Sequence, residues 1–333
     1  MLSAAAAVTV LACSCSLLLL LVHRRRNSER GRELYDDADA LLLNLAPPTT
    51  RWFNMGYWTR DSAGDSKEAV PDFPAAAAEL CRRVAGAARL EPGERVCEVG
   101  YGSGDSTLLL AREYSPRSYY GLTSLPGQHQ LAARRAKEAK LDATRFTLEH
   151  GDAARDLARL SSESQDAVLA VDCAYHFDTR AAFLAQAHRV LAPGGRIALT
   201  DLLLPGRSPN DPNAAADILS LSLFDRLALR LLFLLAHTPP TNFLPPSAYT
   251  SHLVSAGFDP TSIELTDVSE HVWPGFCKFM RERDGVLGQG TAVLGSAWRG
   301  LMRYTRVVEW YSGEGGGRRK LHFYLVAATK AKA

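Results

Sequence analysis

One stretch of the sequence decides the fold: Arg95 to Thr107, which reads RVCEVGYGSGDST. It begins as a short apolar strand, reaches the acidic Glu98 and continues into a loop with glycine at alternate positions. Gly100, Gly102 and Gly104 let the backbone come close to a ligand where any side chain would obstruct it. Because a helix start follows the loop, the stretch predicts a ligand-binding turn between a strand and a helix.

Asp105 indicates which class of ligand the glycine loop binds. A dinucleotide-binding turn would place its third glycine at this position, so the aspartate favours a nucleoside without a pyrophosphate. An oxidoreductase on a Rossmann sheet is therefore the weaker alternative, and the sequence has no Tyr-x-x-x-Lys pair for short-chain dehydrogenase chemistry. A catalytically silent, membrane-tethered binding protein is a second alternative.

Three further segments follow in order: Gly121 to Gln128, His150 to Ala153, and Leu191 to Arg196. Together with the glycine loop they resemble the motifs of the class I S-adenosylmethionine (SAM)-dependent methyltransferases. The similarity is to the small-molecule branch, which includes tocopherol methyltransferases, cyclopropane fatty-acid synthases and natural-product O-methyltransferases. It covers about half of the chain and implies SAM as the cofactor.

The resemblance also implies positions for the cofactor contacts. Glu98 matches the acidic residue near the methionine end, and Asp152 matches the aspartate that approaches the adenine amine. Thr123 stands where many members have an acidic residue on the ribose, so it would make only part of that contact. The residues expected to bind the cofactor are Tyr57, Glu98, Gly100, Gly102, Gly104, Thr123, Gln128, Asp152 and Asp172.

Aromatic residues are dense in the segment from Arg51 to Trp58, just before the cofactor fold. A plain interpretation is a helix or loop packed on the core. The segment also resembles the x-x-Gly-Tyr-Trp lid of related methyltransferases, which closes over the cofactor, and this gives Tyr57 its expected role. Water exclusion suits methyl transfer from a cationic sulfonium, so we favour the lid.

His176 is the candidate catalytic base. It lies in the Tyr175-His176-Phe177 segment after a predicted strand, which resembles the substrate end of the family's site. An imidazole can accept a proton from a hydroxyl near neutral pH, although a lone histidine is often only a wall residue. Asp172 would hold either the cofactor or the loop, and we expect no metal because no Asp-Asn pair or His-x-His cluster is suitably placed.

The alternation of strands and helices predicts a Rossmann-like, doubly wound α/β sheet with helices on both faces. Strands are expected near 95–99, 118–122, 145–148, 166–171 and 195–202, and helices near 104–113, 127–140 and 179–191. Two later strands, near 262–268 and 320–329, would complete seven, with the last antiparallel as the resemblance implies.

The N-terminus suggests a membrane anchor that precedes this fold. The run from Leu2 to Val22 carries no charge and is long enough to cross a hydrocarbon core of roughly 30 Å. Basic residues follow it at His23 to Arg26, which predicts a single-pass helix with the catalytic domain facing the cytosol, at the endoplasmic reticulum if the organism is eukaryotic. A cleaved targeting sequence is the alternative.

These expectations divide the chain into an anchor at 1–26, a linker and aromatic lid segment at 27–74, and a methyltransferase domain at 75–333. An insertion at about 210–246 contains an amphipathic helix, expected from Ile218 to Ala236, that would pack on the core, cover the substrate or rest on the bilayer.

Composition agrees with an ordinary globular enzyme. The 333 residues are 47% hydrophobic and carry a formal net charge of only +2, with no basic stripe that would indicate a nucleic-acid partner. We expect methyl transfer to a lipophilic small-molecule acceptor, with O-methylation of a natural product first and C-methylation of a prenyl, sterol or fatty acyl lipid second. The oligomeric state stays open.

Overall fold

The computed structural model describes residues 43–44, 50–59, 72–206, 222–235, 238–288, 295–315 and 319–332. Seven strands form one sheet in the order β3-β2-β1-β4-β5-β7-β6. Their bounds are β1 Arg95–Val99, β2 Ser118–Thr123, β3 Phe146–His150, β4 Gln165–Ala170, β5 Leu191–Leu203, β6 Glu264–Asp267 and β7 His322–Thr329.

Strands β1 to β5 are parallel to one another, whereas β7 is antiparallel to both β5 and β6. The chain winds outward from β1 in one direction through β2 and β3, and in the other through β4 and β5. Between β1 and β4 the direction of winding changes, which is where ligands bind in such sheets, outside the carboxyl ends of the strands. The predicted doubly wound sheet with an antiparallel final strand is confirmed.

Helices lie on both faces of the sheet. Their bounds are α1 Phe73–Ala87, α2 Asp105–Tyr114, α3 Pro126–Glu138, α4 Arg180–Val190, α5 Leu223–Leu235, α6 Pro246–Ala256, α7 Ser269–Gly288 and α8 Gly295–Ser312. Two apolar clusters result, one with α1, α2, α7 and α8 and the other with α4 and α6. Successive residues of β4 point to opposite faces of the sheet, as in any strand. Ala167 and Leu169 therefore belong to the first cluster, and Val168 and Ala170 belong to the second.

The predicted elements differ from the observed ones mainly outside the motifs. Strand β6 is shorter than expected because Asp259 caps a 3-10 turn at Pro260–Ser262 just before it. Helix α5 begins at Leu223 and ends at Leu235, inside the predicted amphipathic helix. Helices α1, α6, α7 and α8 were not predicted, and α7 contains Pro274, a residue that normally argues against a helix interior.

Within the described ranges, no helix is both long and apolar enough to cross a membrane. The expected anchor at Leu2 to Val22 lies outside the described residues.

A buried ion pair connects α4 to β5. Arg180 donates from Nη1 to Asp201 Oδ2 at 2.6 Å, and the two side chains are only 1% and 0% exposed. Tyr249 of α6 donates its hydroxyl to the same carboxylate oxygen at 3.0 Å, and the Arg180 guanidinium lies 4.5 Å from the centre of the Tyr249 ring. The pair therefore fastens α4 and α6 to the sheet.

Replacement of Arg180 by Met should lower the free energy of unfolding by about 3–5 kcal/mol, because Asp201 would stay buried without its cation. Urea denaturation measures this loss. The matched control is Arg82→Met, since Arg82 is 40% exposed in its pair with Glu113, and such a pair contributes about 0–1 kcal/mol. Equal losses for the two variants would contradict a special role for the buried pair.

Candidate active site

A cavity of about 500 Å³ opens at the carboxyl ends of β1, β2 and β4. Its volume lies within the range of small-molecule sites. The walls come from five segments: residues 51–54, the glycine loop after β1, residues 122–125 with Gln128, residues 151–153, and residues 171–177. The site is thus at the point where the winding of the sheet changes.

The three glycines of the loop all have positive φ angles, 76° at Gly100, 57° at Gly102 and 89° at Gly104. A Cβ at Gly100 would collide with the Cys173 side chain, and one at Gly104 would lie 3.0 Å from Cβ of Ala132. At Gly102 it would meet only Gln128 Oε1 at 3.8 Å and the Gly100 carbonyl at 4.0 Å. Two glycines are therefore required by protein neighbours, whereas Gly102 leaves open space in the cavity wall.

Asp105 holds the loop from its helix side. Its carboxylate accepts from Arg135 at 2.6 and 2.7 Å, and Arg135 also donates to the Ser103 carbonyl at 2.7 Å. Asp105 Oδ2 further accepts from the backbone N–H of Arg51 at 3.1 Å. The residue that replaces the third glycine thus ties the loop to α3 and to the N-terminal segment, a role that sequence reasoning missed.

Glu98 does not line the cavity. It is fully buried, where Tyr119 donates a hydrogen bond to Oε2 and Ser106 forms a second bond. Burial raises the pKa of Glu98 to about 7, against the lowering effect of these two bonds. Glu98 therefore lies outside the cavity wall and joins the start of α2 to β2 through these bonds.

Tyr57 also lies outside the cavity wall. Its ring stacks on His271 with centroids 4.5 Å apart, and the Arg83 guanidinium lies 4.7 Å from its centre. The wall is formed instead by the earlier part of the segment, Arg51 to Asn54, which includes Trp52 and Phe53. The aromatic segment covers the cavity, but by residues other than the one expected.

Of the other residues expected to bind the cofactor, all but Gly104 line the cavity. Gly100, Gly102, Thr123, Gln128, Asp152 and Asp172 line it, whereas Gly104 lies behind the loop against Ala132. Asp152 Oδ1 accepts from the N–H of Ala154 at 2.8 Å, which fixes the turn after β3. These six residues therefore lie around one cavity.

Asp172 connects the two sides of the cavity. It has a positive φ of 53°, and its carboxylate accepts from the N–H of Met55 at 2.7 Å and from the Tyr175 hydroxyl at 3.0 Å. Its own N–H donates to Thr200 Oγ1 at 2.8 Å. Burial raises the pKa of Asp172 to about 6, although both hydrogen bonds to the carboxylate lower it.

His176 ends a 3-10 turn, Ala174–His176, and lines the same cavity as the glycine loop. Its Nδ1 is 3.3 Å from the hydroxyl of Thr238, and its ring lies against Tyr175 with centroids 4.5 Å apart. The candidate base and the cofactor loop therefore share one cavity. Over the residues that the structure describes, no group of three or more His, Cys, Asp or Glu is arranged to hold a metal ion.

The chain is similar to known methyltransferases. Residues 97–199 match the family model described as a methyltransferase domain. Erythromycin 3''-O-methyltransferase of Saccharopolyspora erythraea is 28% identical over 254 residues, which cover 75% of this chain and 74% of that protein. The 27-O-demethylrifamycin SV methyltransferase of Amycolatopsis mediterranei is 29% identical over 234 residues, or 70% of this chain and 75% of that one.

A solved structure, the cyclopropane synthase MmaA2 from Mycobacterium tuberculosis, superposes with a TM-score of 0.61 at 17% identity. The match covers 89% of this chain and 95% of that chain. The sheet order, the glycine loop and these matches identify the chain as a class I SAM-dependent methyltransferase of small molecules. The open space at Gly102 fits a SAM cofactor that runs along the loop.

Gly102→Val should lower the affinity for S-adenosylhomocysteine at least about tenfold, because the added methyl groups would occupy cavity space. Isothermal titration calorimetry measures this affinity. Gly93→Val is the matched control, since Gly93 also has a positive φ, 84°, and a Cβ added there would have no other atom within 4 Å. The control should lose stability and retain binding; equal loss of binding would assign the effect to backbone strain.

Proposed function

We propose that this enzyme methylates a hydroxyl oxygen of a lipophilic small molecule, with His176 as the general base. The observation that carries the proposal is the presence of His176 in the same cavity as the glycine loop. Bound SAM would supply a methyl group that is already activated on a sulfonium. The chain must then align the acceptor, exclude water and remove the hydroxyl proton.

The cavity is lined by residues of two kinds. Thr123, Gln128 and Asp152 follow β2 and β3 and offer polar groups suited to the ribose and adenine of the cofactor. Five aromatic residues also line the cavity: Trp52, Phe53, Tyr175, His176 and Phe177. An apolar acceptor would bury its surface there and bring one polar group to the imidazole.

His176 suits a hydroxyl acceptor. A neutral imidazole nitrogen can take the proton as the oxygen begins to bond to the methyl carbon. The names of the two relatives specify methylation at oxygen, which supports the same choice. C-methylation is the second candidate, because an alkene acceptor carries no proton to remove before transfer and the cavity is lined by aromatic residues.

The position of the methyl group in the product separates these two functions. The enzyme is incubated with SAM carrying a trideuterated methyl group and with a lipid and metabolite extract, and products are analysed by mass spectrometry. A trideuteromethyl ether supports the proposal. Label on carbon alone would replace it with the second candidate.

We further propose that the chain is held at a membrane through Leu2 to Val22, with the catalytic domain on the cytosolic side. Its domains would be an anchor at 1–26, a linker and lid at 27–74, and a catalytic domain at 75–333 with the insertion at about 210–246. Helix α5 of this insertion supports a second contact with the bilayer, because Leu223 and Leu227 are 77% and 66% exposed.

If His176 is the base, His176→Ala should lower kcat by roughly 10²- to 10⁴-fold, while the affinity for S-adenosylhomocysteine is retained. His176→Gln should be almost as slow, since it keeps a hydrogen bond but cannot take the proton. The acidic limb of the wild-type pH profile should be absent from His176→Gln. Unchanged kcat, with only acceptor binding affected, would make His176 a wall residue.

A chain that begins at Asn27 should keep its methyl transfer to a dissolved acceptor and lose sedimentation with membranes, because the apolar run has been removed. Centrifugation of vesicles in high salt measures the binding. The full chain is the positive control. If the shortened chain still sediments, Leu227→Glu is introduced into it to test whether α5 binds the membrane. Sedimentation of the shortened chain both with and without Leu227→Glu would contradict the proposed attachment.

A further inference from the structure

The side chain of Asn242 holds the backbone on both sides of His176. Its amide nitrogen donates to the Tyr175 carbonyl at 3.0 Å and to the Phe177 carbonyl at 2.8 Å. An amide nitrogen has two hydrogens, so both are used on the turn that carries the candidate base. Asn242 is only 3% exposed, and water therefore has little access to replace these bonds.

Asn242 is itself fixed to the sheet. The backbone carbonyl of Asn242 accepts a hydrogen bond from Nη2 of Arg180. The same guanidinium pairs with Asp201 of β5 at 2.6 Å. The backbone N–H of Asn242 donates to the Pro239 carbonyl at 2.9 Å, which closes the turn from Thr238 to Asn242. The position of the His176 turn is thus tied to the central sheet through Asn242 and Arg180.

Thr238, at the other end of the same turn, reaches the imidazole ring. Its hydroxyl is 3.3 Å from His176 Nδ1, and the residue is 3% exposed. A neutral imidazole carries one proton, so if Nε2 is to accept the acceptor's proton, Nδ1 must already hold a hydrogen. The Thr238 oxygen can accept that Nδ1–H and so favour the tautomer that a base requires.

We infer that the turn Thr238–Asn242, which we call the histidine clamp, positions His176 for catalysis: Asn242 fixes its backbone and Thr238 selects its tautomer. The inference rests on the proposed base role of His176. It assigns a function in methyl transfer to two residues of the insertion that do not themselves line the cavity.

Nitrogen-15 NMR of the imidazoles tests the clamp without a known acceptor. Spectra are recorded on the full chain saturated with S-adenosylhomocysteine, and His176→Gln identifies the signals of this residue. In the wild type, neutral His176 should carry its proton on Nδ1. Thr238→Val, which removes the hydroxyl, and Asn242→Asp, which removes both N–H donors, should shift these signals towards those of imidazole in water.

Thr250→Val is the matched control. Thr250 donates to the Pro246 carbonyl within α6 at 3.0 Å, so the variant loses a hydroxyl hydrogen bond outside the clamp. It should leave the His176 signals unchanged, and retained S-adenosylhomocysteine affinity verifies folding of each variant. A proton on Nε2 in the wild type, or unchanged signals in Thr238→Val and Asn242→Asp, would overturn the inference.

Kinetics on the acceptor found by methyl labelling separate positioning from general stability. Asn242→Asp should lower kcat by about 10²-fold, as misplacement of a reacting group does. In the His176→Ala background the same change should cost less than about threefold, because there is no base left to misplace. Equal losses in both backgrounds would overturn the clamp and leave the base role intact; an unaffected kcat in His176→Ala would overturn both.

Discussion

The close approach of Gly100 to Cys173 is the contact on which the site depends. Gly100 follows β1 and Cys173 follows β4, so this contact joins the cofactor loop to the segment that carries His176. The Cys173 thiol donates to the Val99 carbonyl at 3.3 Å, and the Gly100 N–H donates to the Leu122 carbonyl at 2.7 Å. Any Cβ at Gly100 would push the two segments apart and open the cavity at its centre.

Two carboxylates hold the cover of the cavity. Asp105, from the cofactor loop, accepts from the N–H of Arg51, and Asp172, from the end of β4, accepts from that of Met55. Both bonds are to backbone groups, so they set the path of the segment independently of its aromatic side chains. The covering segment is therefore coupled to both halves of the site, which suits a reaction from which water must be excluded.

The sequence was most informative where a function depends on local backbone geometry. The alternate glycines, the strand that precedes them and the order of the motifs predicted the sheet and the position of the cavity. Helix α7 was not predicted, because Pro274 interrupts its pattern. Glu98 and Tyr57 were expected at the cofactor from resemblance alone, but burial against Tyr119 and stacking on His271 decide where they lie.

The residues that sequence reasoning missed act across long separations. Asn242 contacts the carbonyls of Tyr175 and Phe177 more than sixty positions away, and Arg135 reaches Asp105 from another helix. Nothing in the spacing of such residues indicates the contact, because only the folded sheet brings them together. The positions of α4 and α6 on β5 make the Asn242 contact possible.

A crystal structure of the enzyme with S-adenosylhomocysteine tests the central claim most directly. We expect the ligand in the cavity at the carboxyl ends of β1, β2 and β4, with its adenine near Asp152 and its sulfur directed towards Asp172 and His176. A ligand bound elsewhere, or one whose sulfur points away from His176, would contradict the account.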